Sequence, residues 1–182
     1  LRHICVFSIK KLMKSKENIV FLGMMGSGKT SIGLLLSEKL KLNFFDIDNL
    51  IEIEMGMKIS KIFDTKGEKF FRDIEEKITL SILRKDQAVV SLGGGAFLNK
   101  KIRKEVLDNH ISFWLKLDSK TIIERIKNNP KRPIAINATK NDLITLIKKR
   151  SNIYAKALYK IECSNLKKKE ILNKILYIYE NK

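Results

Sequence analysis

The segment Gly23-Met24-Met25-Gly26-Ser27-Gly28-Lys29-Thr30 constrains this chain more than any other. It follows an apolar run, Ile19-Val20-Phe21-Leu22, and opens a stretch of helical character at Lys29. Strand, glycine-rich turn and helix is the order a phosphate cradle requires. The glycines let the backbone bend until its N–H groups converge on a polyphosphate. The helix N-terminus adds unpaired donors and partial positive charge. Lys29 can reach the β- and γ-phosphates, and the Thr30 hydroxyl can ligate Mg²⁺. A chance cluster of Gly, Ser and Lys would lack the strand before it and the helix after it. The implied ligand is a nucleoside triphosphate, held by Gly26, Ser27, Gly28, Lys29, Thr30 and Ser31.

Runs of strand length alternate with helical periodicity along nearly the whole chain. Strands are expected at 19–22, 43–47, 88–92, 111–117 and 158–163. Helices are expected at 29–41, 59–64, 68–84, 100–109, 119–128, 141–157 and 169–180. This alternation predicts a three-layer α/β domain with a five-stranded parallel sheet covered on both faces. Asp118-Ser119 and Asn141-Asp142 are expected helix N-caps. The only prolines, Pro130 and Pro133, fall in residues 128–139, which lack periodicity and read as a mobile loop, a candidate lid.

With 182 residues and 44% hydrophobic content, one sizeable core is expected. No apolar run approaches the roughly 20 residues that span a bilayer. Residues 1–17 are expected to be a disordered extension or a misplaced start, with Met13 as the natural beginning and the domain at 18–182. Intact-mass analysis tests this: a mass that includes Leu1 sinks it. Cys5 and Cys163 form no metal spacing and no disulfide framework, so free thiols are expected. His3 and His110 have no ligand partners nearby in sequence and read as surface or loop histidines. The net charge of +17 comes from scattered lysines without interleaved aromatics. It points to diffuse charge that attracts anionic substrates rather than to a nucleic-acid site.

Three further groups carry chemistry. Asp46-Ile47-Asp48 ends the second strand, where alternation would put both carboxylates on one side. One could hold Mg²⁺ and the other orient an acceptor hydroxyl; an ordinary strand-to-helix cap fits equally well. Gly93-Gly94-Gly95 follows an apolar strand and permits close approach of backbone to ligand. Arg72 and Glu75 are one helical turn apart, a spacing that by itself suggests a surface ion pair.

Together these pieces resemble the shikimate kinase family, in its order and spacing, from Asn18 to about Glu180. The resemblance is carried by the phosphate loop, Asp46-x-Asp48, Ile59-x-x-Ile62-Phe63, Gly67-Glu68-x-x-Phe71-Arg72-x-x-Glu75, Gly93-Gly94-Gly95, Arg125, Arg132-Pro133 and Arg150-x-x-x-Tyr154. It implies a P-loop nucleoside-kinase-like fold and phosphoryl transfer from ATP to the 3-hydroxyl of shikimate, in the cytoplasm, toward chorismate and the aromatic amino acids. It implies Asp48 as holder and candidate base of the acceptor hydroxyl. It also implies Arg72 and Arg150 as clamps on the acceptor carboxylate, completed by Gly93, Gly94 and Gly95. Arg132 would close over the transferring group beside Lys29, Thr30 and Asp46 would position Mg²⁺, and Arg125 would stack on the adenine. The expected partners are ATP and shikimate, with no specific nucleic acid, no membrane and a monomeric state.

Some features depart from the family pattern. Residues 163–169 contain no proline where the family often has one, and Asn-Asn-Pro-Lys precedes Arg132 where glycine-rich versions are frequent. No separate acidic strand end follows Val89-Val90; Ser91 stands there, which returns metal binding to Asp46. Rival readings are a gluconate-type sugar-acid kinase, a nucleoside-monophosphate kinase, a non-catalytic nucleotide-binding module and a basic RNA-binding protein. The pair Arg72 and Arg150, with Asp48 and the three glycines, favours an acidic polyol.

Overall fold

A computed structural model describes residues 17–85, 87–127 and 138–182. Five strands, β1 (Ile19–Leu22), β2 (Asn43–Asp46), β3 (Ala88–Ser91), β4 (Ile111–Lys116) and β5 (Tyr159–Glu162), form one parallel sheet in the order β2-β3-β1-β4-β5. Every residue of β1 and β3 is buried. Successive side chains of a strand point to opposite faces, so both faces of the sheet centre are covered. That double burial is why these strands read as unbroken apolar runs. The outer strands are polar in part. On β5, Lys160 and Glu162 pair at 3.1 Å, and Lys116 of β4 reaches Glu162 at 2.9 Å, which gives that edge a charged character.

Around the sheet pack α1 (Lys29–Leu40), α2 (Ile47–Met55), α3 (Ile59–Leu83), α4 (Lys100–Asn109), α5 (Ser119–Lys127), α6 (Lys140–Tyr154) and α7 (Lys168–Glu180). Among the described residues, no helix is long and apolar enough to cross a membrane. Helix α2 has no counterpart in the sequence reading, because Ile51-Glu52-Ile53-Glu54 alternates as a strand does. The expected helices at 59–64 and 68–84 are the two halves of α3, which kinks at Gly67 (φ 80°, ψ 168°). The cap expected at Asn141-Asp142 is instead Thr139. Its hydroxyl accepts from Asp142 N–H at 3.2 Å, while the Asp142 carboxylate takes the Thr139 N–H at 2.9 Å. Asp118 does cap α5, accepting from Thr121 N–H at 2.8 Å.

Strand β3 lies between β1 and β2, so the carboxylates after β2 are one strand removed from the phosphate loop after β1. Helix α1 bridges that gap closely, since a Cβ on its Gly33 would stand 2.4 Å from the Phe44 ring.

His110 is buried, contrary to expectation. Its Nδ1 accepts the Asn18 N–H at 3.2 Å, at the end of the sheet away from the loops. The Asn18 side chain then ties Leu83 O (2.8 Å) to Ala88 N–H (2.9 Å). Cys163 is a buried free thiol. His3, Cys5, Met13 and the candidate lid residues Pro130, Arg132 and Pro133 lie outside the described residues.

Candidate active site

The carboxyl ends of β1, β2 and β3 open onto one cavity of about 940 Å³, the position where open α/β sheets take ligands. It joins two differently built ends.

At the first end, residues 23–28 curl from β1 into α1, with Ser27 N–H donating to Met24 O at 3.1 Å. Gly28 is the N-cap of α1 (φ 95°) and offers no side-chain acceptor. The first-turn N–H groups are therefore left for an anion. Lys29 Nζ is buried and donates to Gly23 O and Met24 O, at 3.0 Å each. Gly26, Gly28, Lys29, Thr30 and Ser31 line the cavity. Ser27 is buried, and among the described residues its hydroxyl has no hydrogen-bond partner. Arg125, from α5, crosses the loop and donates to Gly26 O at 2.9 Å. Lys168 and Leu34 line the same cavity. Lys168, the first residue of α7, was missed by sequence reasoning because it belongs to an ordinary lysine run.

Asp46 does two jobs. Its Oδ1 accepts Asn49 N–H at 3.2 Å and caps α2, while its Oδ2 accepts the Thr30 hydroxyl at 2.6 Å. It is the last residue of β2, and Asp48 stands in the first turn of α2. A helical turn, rather than strand alternation, therefore sets their relation. A hydroxyl and a carboxylate side by side are hard oxygen donors of the kind Mg²⁺ takes, the metal filling its remaining positions with water and phosphate oxygens. The residues present fit that ion.

At the second end, Arg72 and Glu75 are not a surface pair. Glu75 is 2% exposed, and Arg72 Nη1 donates to its Oε2 at 2.7 Å. Arg72 also gives Nε (3.3 Å) and Nη2 (3.2 Å) to Glu68 Oε1. Two carboxylates thus hold one guanidinium fork in a fixed plane. Burial raises the Glu75 pKa above the usual carboxylate range, and nearby Asp48 adds to this against Arg72 and Arg150.

The three glycines mark where these charges meet the backbone. A Cβ on Gly93 would stand 2.5 Å from Asp48 Oδ1 and 2.7 Å from Glu75 Oε1. One on Gly94 would stand 3.3 Å from Met25 N and 3.7 Å from Arg150 Nη1, and one on Gly95 only 2.4 Å from Arg72 Nη1. Side chains in this stretch would displace the charged groups. Arg150, buried on α6, donates Nη1 to Gly94 O at 3.2 Å, and its Nε has no partner among the described residues. Ile59, Phe63 and Phe71 give the cavity an apolar wall, the two rings 4.7 Å apart.

The structure therefore gathers Lys29, Thr30, Asp46, Asp48, Arg72, Gly94, Gly95, Arg125 and Arg150 around one cavity. Arg132 lies outside the described residues. A carbonyl-held ammonium and an uncapped helix stand at one end, and two oriented guanidinium groups beside a carboxylate at the other. Such a cavity can hold a polyphosphate against a hydroxylated acid.

Comparison with known proteins agrees with this geometry. The family model described as shikimate kinase matches residues 25–180. The shikimate kinase of Thermodesulfovibrio yellowstonii is 38% identical over 165 residues, covering 90% of this chain and 95% of its own. The solved structure of shikimate kinase from Acinetobacter baumannii in complex with shikimate superposes with a TM-score of 0.87 at 30% identity, covering 96% of this chain and 98% of that one. A gluconokinase from Sinorhizobium meliloti, at 16% identity and a TM-score of 0.55 over 93% of this chain and 94% of its own, shares the fold alone.

Proposed function

The chain belongs to the shikimate kinase family, and from that premise we propose that it transfers the γ-phosphoryl group of ATP to the 3-hydroxyl of shikimate, giving shikimate 3-phosphate and ADP. The observation that carries the acceptor assignment is the convergence of Arg72 and Arg150 on Gly94 and Gly95, with Asp48 against Gly93. Two planar guanidinium groups suit a carboxylate, and a carboxylate one residue along suits a hydroxyl. The apolar wall of Ile59, Phe63 and Phe71 suits the carbon ring between them.

Phosphoryl transfer depends on positioning and charge stabilisation more than on covalent chemistry. In this reading Asp48 orients the 3-hydroxyl and accepts its proton as the O–P bond forms, while the bond from the γ-phosphorus to the β,γ-bridging oxygen breaks. Lys29 and the first-turn N–H groups of α1 carry the growing charge on the phosphates. Thr30 and Asp46 would hold Mg²⁺, which neutralises phosphate charge when bound. Arg125 and Lys168 flank the far side of the loop, where the base and ribose extend. Arg132 is assigned, from the family motif, to the transferring group.

The test is ADP release from ATP and Mg²⁺ with shikimate, with gluconate, and with no acceptor. Turnover is expected with shikimate only. ATP binding without shikimate-dependent turnover would refute the acceptor assignment.

A further inference from the structure

We propose that Tyr154 is a positioning residue for the acceptor acid, acting through the Gly94 carbonyl that it shares with Arg150. Tyr154 ends α6, one helical turn after Arg150, so both side chains leave the same face of the helix. Its ring is buried, 6.0 Å from that of Trp114. It does not line the cavity. The Tyr154 hydroxyl donates to Gly94 O, and Arg150 Nη1 donates to the same oxygen at 3.2 Å. The hydroxyl also stands 3.7 Å from Met24 Sδ in the phosphate loop. Burial pushes the Tyr154 pKa up to about 12, so the hydroxyl keeps its proton throughout the neutral range.

The consequence is geometric. A carbonyl oxygen has two lone pairs, and here both have donors. That fixes the plane of the Gly94–Gly95 peptide, because the trans N–H of Gly95 must point opposite to a carbonyl that cannot turn. Glycine has no side chain to hold such a peptide, and the free rotation that makes it useful for close approach also makes it a poor support. The shared oxygen also locks Arg150, with Nη1 spent on Gly94 and Nε unpartnered among the described residues. Gly94 lies directly against Met25 of the phosphate loop. The peptide held by Tyr154 therefore lies where the two ends of the cavity meet.

Tyr154→Phe tests this, because it keeps the ring and removes only the hydroxyl, with its bond to Gly94 O and its contact with Arg150. The inference rests on the acid-binding reading of Arg150. Shikimate affinity of the parent and the variant is measured by calorimetry without nucleotide, and KM for each substrate by steady-state kinetics. The expected result is a rise in shikimate Kd and KM of about 3- to 10-fold, the size of one neutral hydrogen bond, with KM for ATP unchanged and the melting temperature lowered by only about 2–4 °C. In an Arg150→Lys background the same substitution should have a smaller effect, since the two donors act on one oxygen. Equal shikimate Kd in parent and Phe variant would overturn the inference alone, as would a parallel loss of ATP affinity. A parent without shikimate affinity would overturn the underlying reading of the site as well.

Discussion

The Arg72 guanidinium occupies the space that a side chain on Gly95 would fill, 2.4 Å from Nη1 and 2.9 Å from Cζ to an added Cβ. Gly95→Ala must move the guanidinium away from the buried Glu75 carboxylate that it pairs with, so the variant loses stability. Acceptor binding weakens too, since Arg72 has to leave the plane in which Glu75 and Glu68 hold it. Shikimate KM is expected to rise about 10- to 100-fold, the worth of a hydrogen bond to a charged group. KM for ATP should stay near the parent's, while the melting temperature, measured alongside it, should fall.

Asp46→Asn keeps the amide oxygen that can cap α2 but removes the negative charge beside Thr30. The Mg²⁺ concentration for half-maximal rate is expected to rise about 10- to 100-fold, as is typical when a metal's supporting carboxylate is lost. A Mg²⁺ titration at saturating ATP and shikimate reads this directly.

Gly67 bends α3 at φ 80°, ψ 168°, a region essentially reserved for glycine, and an added Cβ there would meet nothing within 4 Å. The cost of Gly67→Ala is therefore backbone strain alone, about 1–3 kcal/mol. Urea unfolding measures it. Because Glu68 and Arg72 follow the kink, shikimate KM should rise as well.

Arg132→Ala removes a cation assigned to the transferring phosphoryl group. The expected loss in kcat is on the order of 10³-fold, the lower range for a transition-state arginine. Turnover close to the parent's would remove Arg132 from the mechanism.

Burial holds the His110 pKa below its ordinary 6.5, against the opposing pull of Glu105 and Glu17. The folded chain therefore keeps a neutral imidazole where the unfolded chain takes up a proton. Stability contributed this way is present above pH 6.5 and is lost as pH falls through the lower folded-state pKa. Calorimetric melting from pH 7.5 down to pH 5 should show a decline that is shallower in His110→Gln.

What the sequence by itself determined is local. Double-sided burial made β1 and β3 legible as apolar runs, and glycine spacing with a flanking strand and helix made the phosphate loop legible. The order of the later motifs pointed to the family before any coordinate did. The Ile-Glu alternation at 51–54 hid α2, because a short run of period two does not distinguish a strand from one side of a helix. Only the tertiary structure decided that β3 separates β2 from β1, and that Asp46 both caps a helix and holds Thr30. It also turned Glu75 from one half of a surface pair into the buried support of Arg72. His110 was found inside, Tyr154 behind the cavity lining and Lys168 in it, for the same reason. Each of these depends on which distant segments the sheet order brings together, and that is a property of long-range packing which no local periodicity records.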